Sequence, residues 1–224
     1  MASDIEDTRL TRPRSRHLQP ETESASIRVL KQDRSMETRE RLVNAAIQVL
    51  SDLGYAGFST LRVARLAGVS RGALQYHFES REALFCAARL RLAEAMKEKL
   101  APGTLSVMSL EDRVRAMVSN YWDVIGSNAY VAALEIRLYE RFNQDLHDSM
   151  SREMRDISEV RDRSWIRIFS DSPLPTEDLV LLRRLMLDVL RGVALRKLEG
   201  DPPATLTSSV ELLIDMLVTK LRGK

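Results

Sequence analysis

Residues 60–78 read TLRVARLAGVSRGALQYHF. Ala64, Ala67, Val69, Leu74 and Phe78 are placed to hold two short helices together, with Gly68 at the turn between them. Ser59 or Thr60 offers an N-cap for the first helix, residues 61–67, and Ser70 for the second, residues 71–77. Gly68 lets the backbone turn where a Cβ would clash. Helices of about two turns do not stand alone in water, so a third helix is needed. Leu42, Ala46, Val49, Leu50 and Leu53 follow the i, i+4, i+7, i+8, i+11 pattern of one helical face. They predict a helix that begins at Met36 and stops at Gly54. Three helices joined this tightly suggest a helix-turn-helix module.

Such a unit has a functional reading because a helix fits the major groove of B-DNA and presents its first residues to base edges. Ser70, Arg71, Gly72, Gln75, Tyr76 and His77 lie on the outward side of the second helix. Arg bridges guanine O6 and N7, and Gln pairs with adenine N6 and N7. Gly72 lets the backbone approach a duplex. Ser70 with the free N–H groups of the helix start suits a phosphate, and Tyr76 carries a hydroxyl donor. From spacing alone, an ordinary αα-hairpin with a solvated polar face fits equally well.

Composition bounds the rest. The chain has 224 residues, is 44% hydrophobic, and contains 9 Gly and 7 Pro, which favours helix and leaves little turn material for an all-β fold. Its 34 Lys and Arg against 32 Asp and Glu give a net charge of +2, so any nucleic-acid surface is local. Residues 36–100 hold 10 basic and 7 acidic residues, and residues 101–224 hold 17 and 19. An excess this small implies binding that depends on dimerisation. One cysteine, Cys86, excludes an internal disulfide and a Cys-based zinc site, and a buried structural role is its default. No phosphate loop, metal cluster or nucleophile–base pair is recognisable, so neither an enzyme nor a cofactor or metal is expected. There is no apolar run of ~20 residues for a bilayer and no apolar leader. The expectation is a soluble cytoplasmic protein with no membrane partner.

Residues 1–35 carry Pro13 and Pro20, and Arg9, Arg12, Arg14 and Arg16 lie among acidic residues. They read as a disordered extension; a basic arm along DNA is the sharper alternative. A long helix is expected over residues 80–100, and Ala101-Pro102-Gly103 marks the clearest internal boundary. Five helical stretches follow, near residues 109–127, 128–142, 145–169, 176–198 and 206–221, with Ser109 and Asp112 resembling a capping box and Thr176 a cap. The fold class is therefore all-α, with about nine helices. The division is 1–35 extension, 36–82 helix-turn-helix domain and 83–224 helical domain.

GYAGFSTLRVARLAGVSRGALQYHFESREALF, residues 54–85, resembles the N-terminal DNA-binding region of the TetR/AcrR family of bacterial transcriptional regulators. The resemblance spans about residues 38–86 and rests on Gly54-Tyr55, Ser59-Thr60, Val63-Ala64, Ala67-Gly68-Val69-Ser70, Gly72, Leu74, His77-Phe78 and residues 80–85. Lys is usual where Arg71 and Arg81 stand, and Tyr where Gln75 stands. The resemblance implies phosphate contacts from Thr60, Tyr76 and Arg81, and base contacts nearest Ser70, Arg71, Gly72 and Gln75. His77 is more often a packing and capping residue in this pattern.

It also implies a regulator that binds a palindromic double-stranded operator as a homodimer and is released by a small apolar or amphipathic effector. The resemblance assigns DNA binding to residues 36–82, and effector binding with dimerisation to residues 83–224. Candidate pocket residues are Met117, Tyr121, Trp122, Leu134, Arg137, Trp165 and Phe169, each with a role in plain core as the alternative. Arg137 suits an acidic ligand, an ion pair with Glu140 or Glu135, or solvent; His147 is equally open. The last two helices carry apolar faces wider than one partner helix covers. Leu182, Met186, Val189, Val193, Val210, Leu213, Leu217 and Leu221 are the expected dimer interface, two helices from each subunit. A ligand that favours a tilted 80–100 helix would then shift the separation of the two reading heads.

Overall fold

The computed structural model describes the backbone of residues 20–99, 105 and 108–223. Among these residues the protein is all-α, with nine helices and no strand. They are α1 (Pro20–Gly57), α2 (Thr60–Leu66), α3 (Arg71–His77), α4 (Arg81–Lys99), α5 (Leu110–Ile125), α6 (Asn128–Glu140), α7 (Gln144–Ile168), α8 (Thr176–Leu198) and α9 (Pro203–Leu221). No helix among the described residues is long and apolar enough to cross a membrane.

The chain divides into two units, Met1–Thr38 and Arg39–Lys224. In the first, residues 1–19, including the Arg9–Arg16 cluster, lie outside the described residues. From Pro20 onward the backbone is helical, which corrects the expected start at Met36. A proline tolerates the first helical position because its missing N–H would have no partner there. The segment it opens lacks the apolar period on which the sequence reading relied.

In the second unit α1 ends as expected around Gly54, whose φ of 62° breaks the helical path. Serine caps the next helices. Ser59 Oγ accepts from the Arg62 N–H (3.2 Å), Ser70 Oγ from Ala73 (3.1 Å), Ser80 Oγ from Ala83 (3.0 Å) and Ser109 Oγ from Asp112 (3.1 Å). Thr176 is the first residue of α8 rather than its cap; Pro175 holds that position.

Two hydrophobic cores form within this unit. One joins Leu42, Ala46 and Leu50 of α1 to Val63, Leu74, Leu84 and Phe85, and continues into Ala132 and Ile136 of α6 and Leu146 and Met150 of α7. The other packs α5, α8, α9 and the C-terminal part of α7 around Tyr121, Trp165, Phe169 and Met186. The boundary expected between residues 82 and 83 is thus no break in packing. Leu84 and Phe85 of α4 share the first core with α1, α2 and α3, and α4 packs on α5, α6 and α7. With 19 residues, α4 spans ~28 Å at 1.5 Å per residue.

One buried ion pair ties α7 to α8. The Arg183 guanidinium, 2% exposed, donates from Nε to Asp162 Oδ1 (2.6 Å) and also reaches Ser158 Oγ (3.1 Å), while Arg184 donates to Asp162 Oδ2 (3.3 Å). Asp162→Ala would leave the Arg183 cation buried without its counter-charge. A loss of about 3 kcal/mol is expected in urea unfolding of the full chain; a loss below ~1 kcal/mol would mean the pair is effectively solvated.

Candidate nucleic-acid interface

The turn between α2 and α3 is built by backbone geometry. The Gly68 N–H donates to Arg65 O (3.2 Å) and the Val69 N–H to Ala64 O (3.0 Å), which closes α2 and redirects the chain. Gly68 sits at φ 67°, and a Cβ built there meets no atom within 4 Å. The glycine is required by its left-handed conformation, not by the steric clash expected from sequence. Val63, Ala64, Ala67, Leu74 and Phe78 are buried beneath the turn, and Arg39 of α1 lies over the Phe78 ring at 5.1 Å.

This packing leaves one face of α3 outward. Arg71, Gln75 and Tyr76 are exposed, Tyr76 at 82%. None of their side chains has a hydrogen bond or ion pair among the described residues; Tyr76 meets only the edge of His77, with centroids 5.2 Å apart. His77 is half-buried, in keeping with packing, and Thr60 is the half-buried first residue of α2. Ser70 spends one lone pair on its cap to Ala73.

Gly72 is exposed, and a Cβ there would meet only Ser70 Oγ, at 3.8 Å. Nothing inside the described chain asks for glycine at this position. Gly72→Val is expected to leave the melting temperature within a few degrees and to weaken DNA binding about tenfold (~1.4 kcal/mol), measured by fluorescence anisotropy. Unchanged affinity would remove Gly72 from the contact surface.

Arg81 is partly engaged within the chain. Its guanidinium donates to the Tyr139 hydroxyl (3.0 Å), pairs with Glu82 (3.4 Å) and lies 5.1–5.8 Å from the ring centroids of Tyr55, Phe85 and Tyr139. Burial works against this cation. The hydrogen bond to Tyr139 and the charges of Tyr139, Tyr55 and Glu82 outweigh that and raise its pKa. Burial likewise opposes the Glu82 carboxylate, but hydrogen bonds from its own backbone and from Tyr139, followed by Arg81, pull its pKa down.

Beside this cluster the Tyr55 N–H donates to Glu135 Oε2 (3.0 Å), and the Tyr55 and Tyr139 rings stack with centroids 4.7 Å apart. The Glu135 carboxylate also lies where a Cβ on Gly54 would come within 3.3 Å. The end of α1 is therefore seated on α6 through Glu135 and Tyr139, a contact that the sequence reading did not anticipate.

The expected effector residues do not gather around one cavity. Met117, Tyr121, Trp165 and Phe169 are each at most 2% exposed and belong to the second core. Trp165 and Phe169 pack on each other with centroids 4.4 Å apart. Trp122 is half-buried and covers Gly126. Leu134 and Arg137 instead line a separate cleft of about 700 Å³ formed by α4, α6, α7 and α8.

The dimer residues need a similar correction. Met186, Val193, Val210, Leu213, Leu217 and Leu221 are buried within their own chain, so they serve its core first. The outward stripe is Leu181, Leu185 and Val189 on α8 and Leu212 and Met216 on α9. These rim a groove of about 900 Å³ whose lining also includes Leu182, Met186, Val193, Leu213 and Leu217. Gly192 continues the α8 stripe, with nothing within 4 Å of its Cβ position.

A capped two-helix turn with a bare, polar third-helix face defines the helix-turn-helix class of DNA-binding proteins. Residues 42–88 match the family model of bacterial regulatory proteins, tetR family, and the chain as a whole is similar to HTH-type transcriptional regulators. It is 26% identical over 166 residues to the HTH-type transcriptional regulator CymR of Pseudomonas putida, covering 74% of this chain and 82% of CymR. It is 26% identical over 139 residues to the HTH-type transcriptional repressor NicS of Pseudomonas putida, covering 62% and 63%. A transcriptional regulator from Rhodococcus sp. Rha1 shares the fold, with a TM-score of 0.65 and 20% identity over 81% of this chain and 96% of that one. These relatives are regulators, not enzymes.

Proposed function

We propose that the chain is a cytoplasmic repressor that grips a palindromic operator as a homodimer and lets go when a small effector binds. Residues 36–82 carry the reading head, and residues 83–224 carry the effector and dimer functions. The observation that supports the DNA face is the set of Arg71, Gln75 and Tyr76 side chains, exposed and without partners among the described residues on the first turns of α3. Side chains held out this way have conformational freedom that only an external partner would take up. Repression is carried over from the name of NicS.

Dimerisation is supported by the α8–α9 groove. Its rim residues Leu181 and Leu212 are 64% and 61% exposed, on helices whose opposite faces already fill the core. A second copy related by a twofold axis would cover both stripes at once, and Gly192 would allow the two α8 helices to cross closely. Release is supported by α6. One face of this helix lines the Arg137 cleft, and another holds Tyr55 and Arg81 of the reading head through Glu135 and Tyr139. A ligand that favours a shifted α6 moves the head without unfolding either part.

The reading is tested by titrating the full chain onto the DNA flanking its own gene in a gel shift. Two chains per duplex at saturation are expected. A shifted species with one chain per duplex, or no shift, contradicts it.

A further inference from the structure

The cleft between α4, α6, α7 and α8 has a charge pattern that the apolar-effector expectation does not explain. Arg89, Arg137, Arg141, Arg155 and Arg191 all line it, with His147 at its edge, against a single carboxylate, Glu140. That carboxylate is already engaged by Arg89. Burial, then the Arg137 guanidinium, and after them that of Arg191, weakens the Arg89 cation. Arg191 reaches Asp188 through one nitrogen (2.9 Å), while its buried Nε has no hydrogen-bond partner. Arg137 and Arg155 make no hydrogen bond or ion pair among the described residues. The remaining wall is apolar: Tyr130, Leu134, Leu138, Met154 and Leu195. The guanidiniums left without an ion pair among the described residues, Arg137, Arg141 and Arg155, repel each other in this cleft unless an anion enters. A planar guanidinium is matched to a carboxylate, which it holds with two parallel hydrogen bonds. The volume of about 700 Å³ falls within the range of small-molecule sites.

We propose that this cleft binds an amphipathic carboxylate, its anionic head held by Arg137 and Arg191 and its apolar body against Leu134, Leu138 and Leu195. This rests on the reading of the chain as a ligand-released regulator and names the chemistry of the ligand. The head displaces the mutual repulsion of the guanidiniums, which a neutral ligand cannot do. Cys86, in contrast, offers no second sensor, because burial pushes its thiol up and disfavours the thiolate.

The test is calorimetric titration of the full chain with octanoate, cinnamate and naphthoate, each paired with its primary amide, followed by anisotropy on operator DNA. A carboxylate is expected to bind at least about tenfold more tightly than its amide and to lower operator affinity. Arg137→Gln should erase the discrimination, and Arg137→Lys should restore part of it. Leu134→Trp, which fills the cleft, should abolish binding of both members of a pair. Amides that bind as well as the acids would overturn the anionic class while leaving a ligand-released regulator in place. Carboxylate binding untouched by both Arg137→Gln and Leu134→Trp would overturn this cleft as the site. Failure of every compound to bind or to loosen the operator would overturn both the inference and the ligand-release reading.

Discussion

The double substitution Arg71→Ala with Tyr76→Ala should abolish detectable operator binding. Each side chain is exposed on α3 and has no hydrogen-bond or ion-pair partner within the chain among the described residues, so truncation leaves no cavity and no orphaned polar group. The unfolding midpoint should stay close to that of the parent protein. A bidentate arginine–base contact is worth about 1–3 kcal/mol, and a twofold complex loses it twice. Removing a phosphate contact from Tyr76 in both copies adds to this, so a combined loss of at least ~4 kcal/mol, or about a thousandfold, is expected in anisotropy titrations at fixed salt. The singles separate the two roles. Arg71→Ala should relax sequence preference at one position of each half-site, while Tyr76→Phe should weaken all sequences about equally. Parent-like affinity in the double variant would mean that this face does not meet DNA.

Leu185→Glu should convert the protein to monomers. Leu185 is 54% exposed at the centre of the α8 stripe and faces the groove it shares with Leu212 and Met216. Burying a leucine contributes about 1.5–3 kcal/mol, and a twofold axis counts it twice. The substitution also places two carboxylates in an apolar contact, each with a desolvation cost of its own. Sedimentation velocity should show one chain per particle with unchanged helical content, because the residue leaves the intrachain core untouched. Operator affinity should fall at least about a thousandfold, since a lone head engages only one half-site. A sedimenting dimer in Leu185→Glu would place the interface elsewhere. Met186→Glu would not discriminate in this way: Met186 is wholly buried in its own chain, and its charge would unfold the monomer.

The contrast between Leu185 and Met186 shows where sequence patterning stops. In α8 the apolar residues 179–182, 185–187, 189–190 and 193–195 wrap most of the circumference. Periodicity marks a helix there, but it does not say which stripe meets the core and which meets a partner. The α2–α3 module was legible for the opposite reason. Its signals are local: serines at the caps, a glycine at the turn, and Val63, Ala64 and Leu74 buried where the two short helices meet the core.

Arg183 was hidden because a charged residue enters a core only with its counter-charge, and Asp162 is 21 residues away in sequence. The contact of Arg81 with Tyr139 was hidden because the two lie 58 residues apart and no local rule links them. The aromatics Tyr121, Trp165 and Phe169 were grouped as pocket lining by residue type. Large rings at helical spacing fill a core as readily as they line a cavity, and here they fill it. The five arginines of the cleft come from four different helices and carry no shared sequence signal.

The most direct measurement is selection of binding sites by the full chain from random duplex DNA. The account predicts one enriched motif with twofold symmetry. Its half-sites should lie one helical turn apart, ~34–36 Å, or a multiple of that, and substitution of Arg71 should change the preferred base in each. A collection of selected duplexes with no common symmetric motif, or a motif indifferent to Arg71, would contradict it.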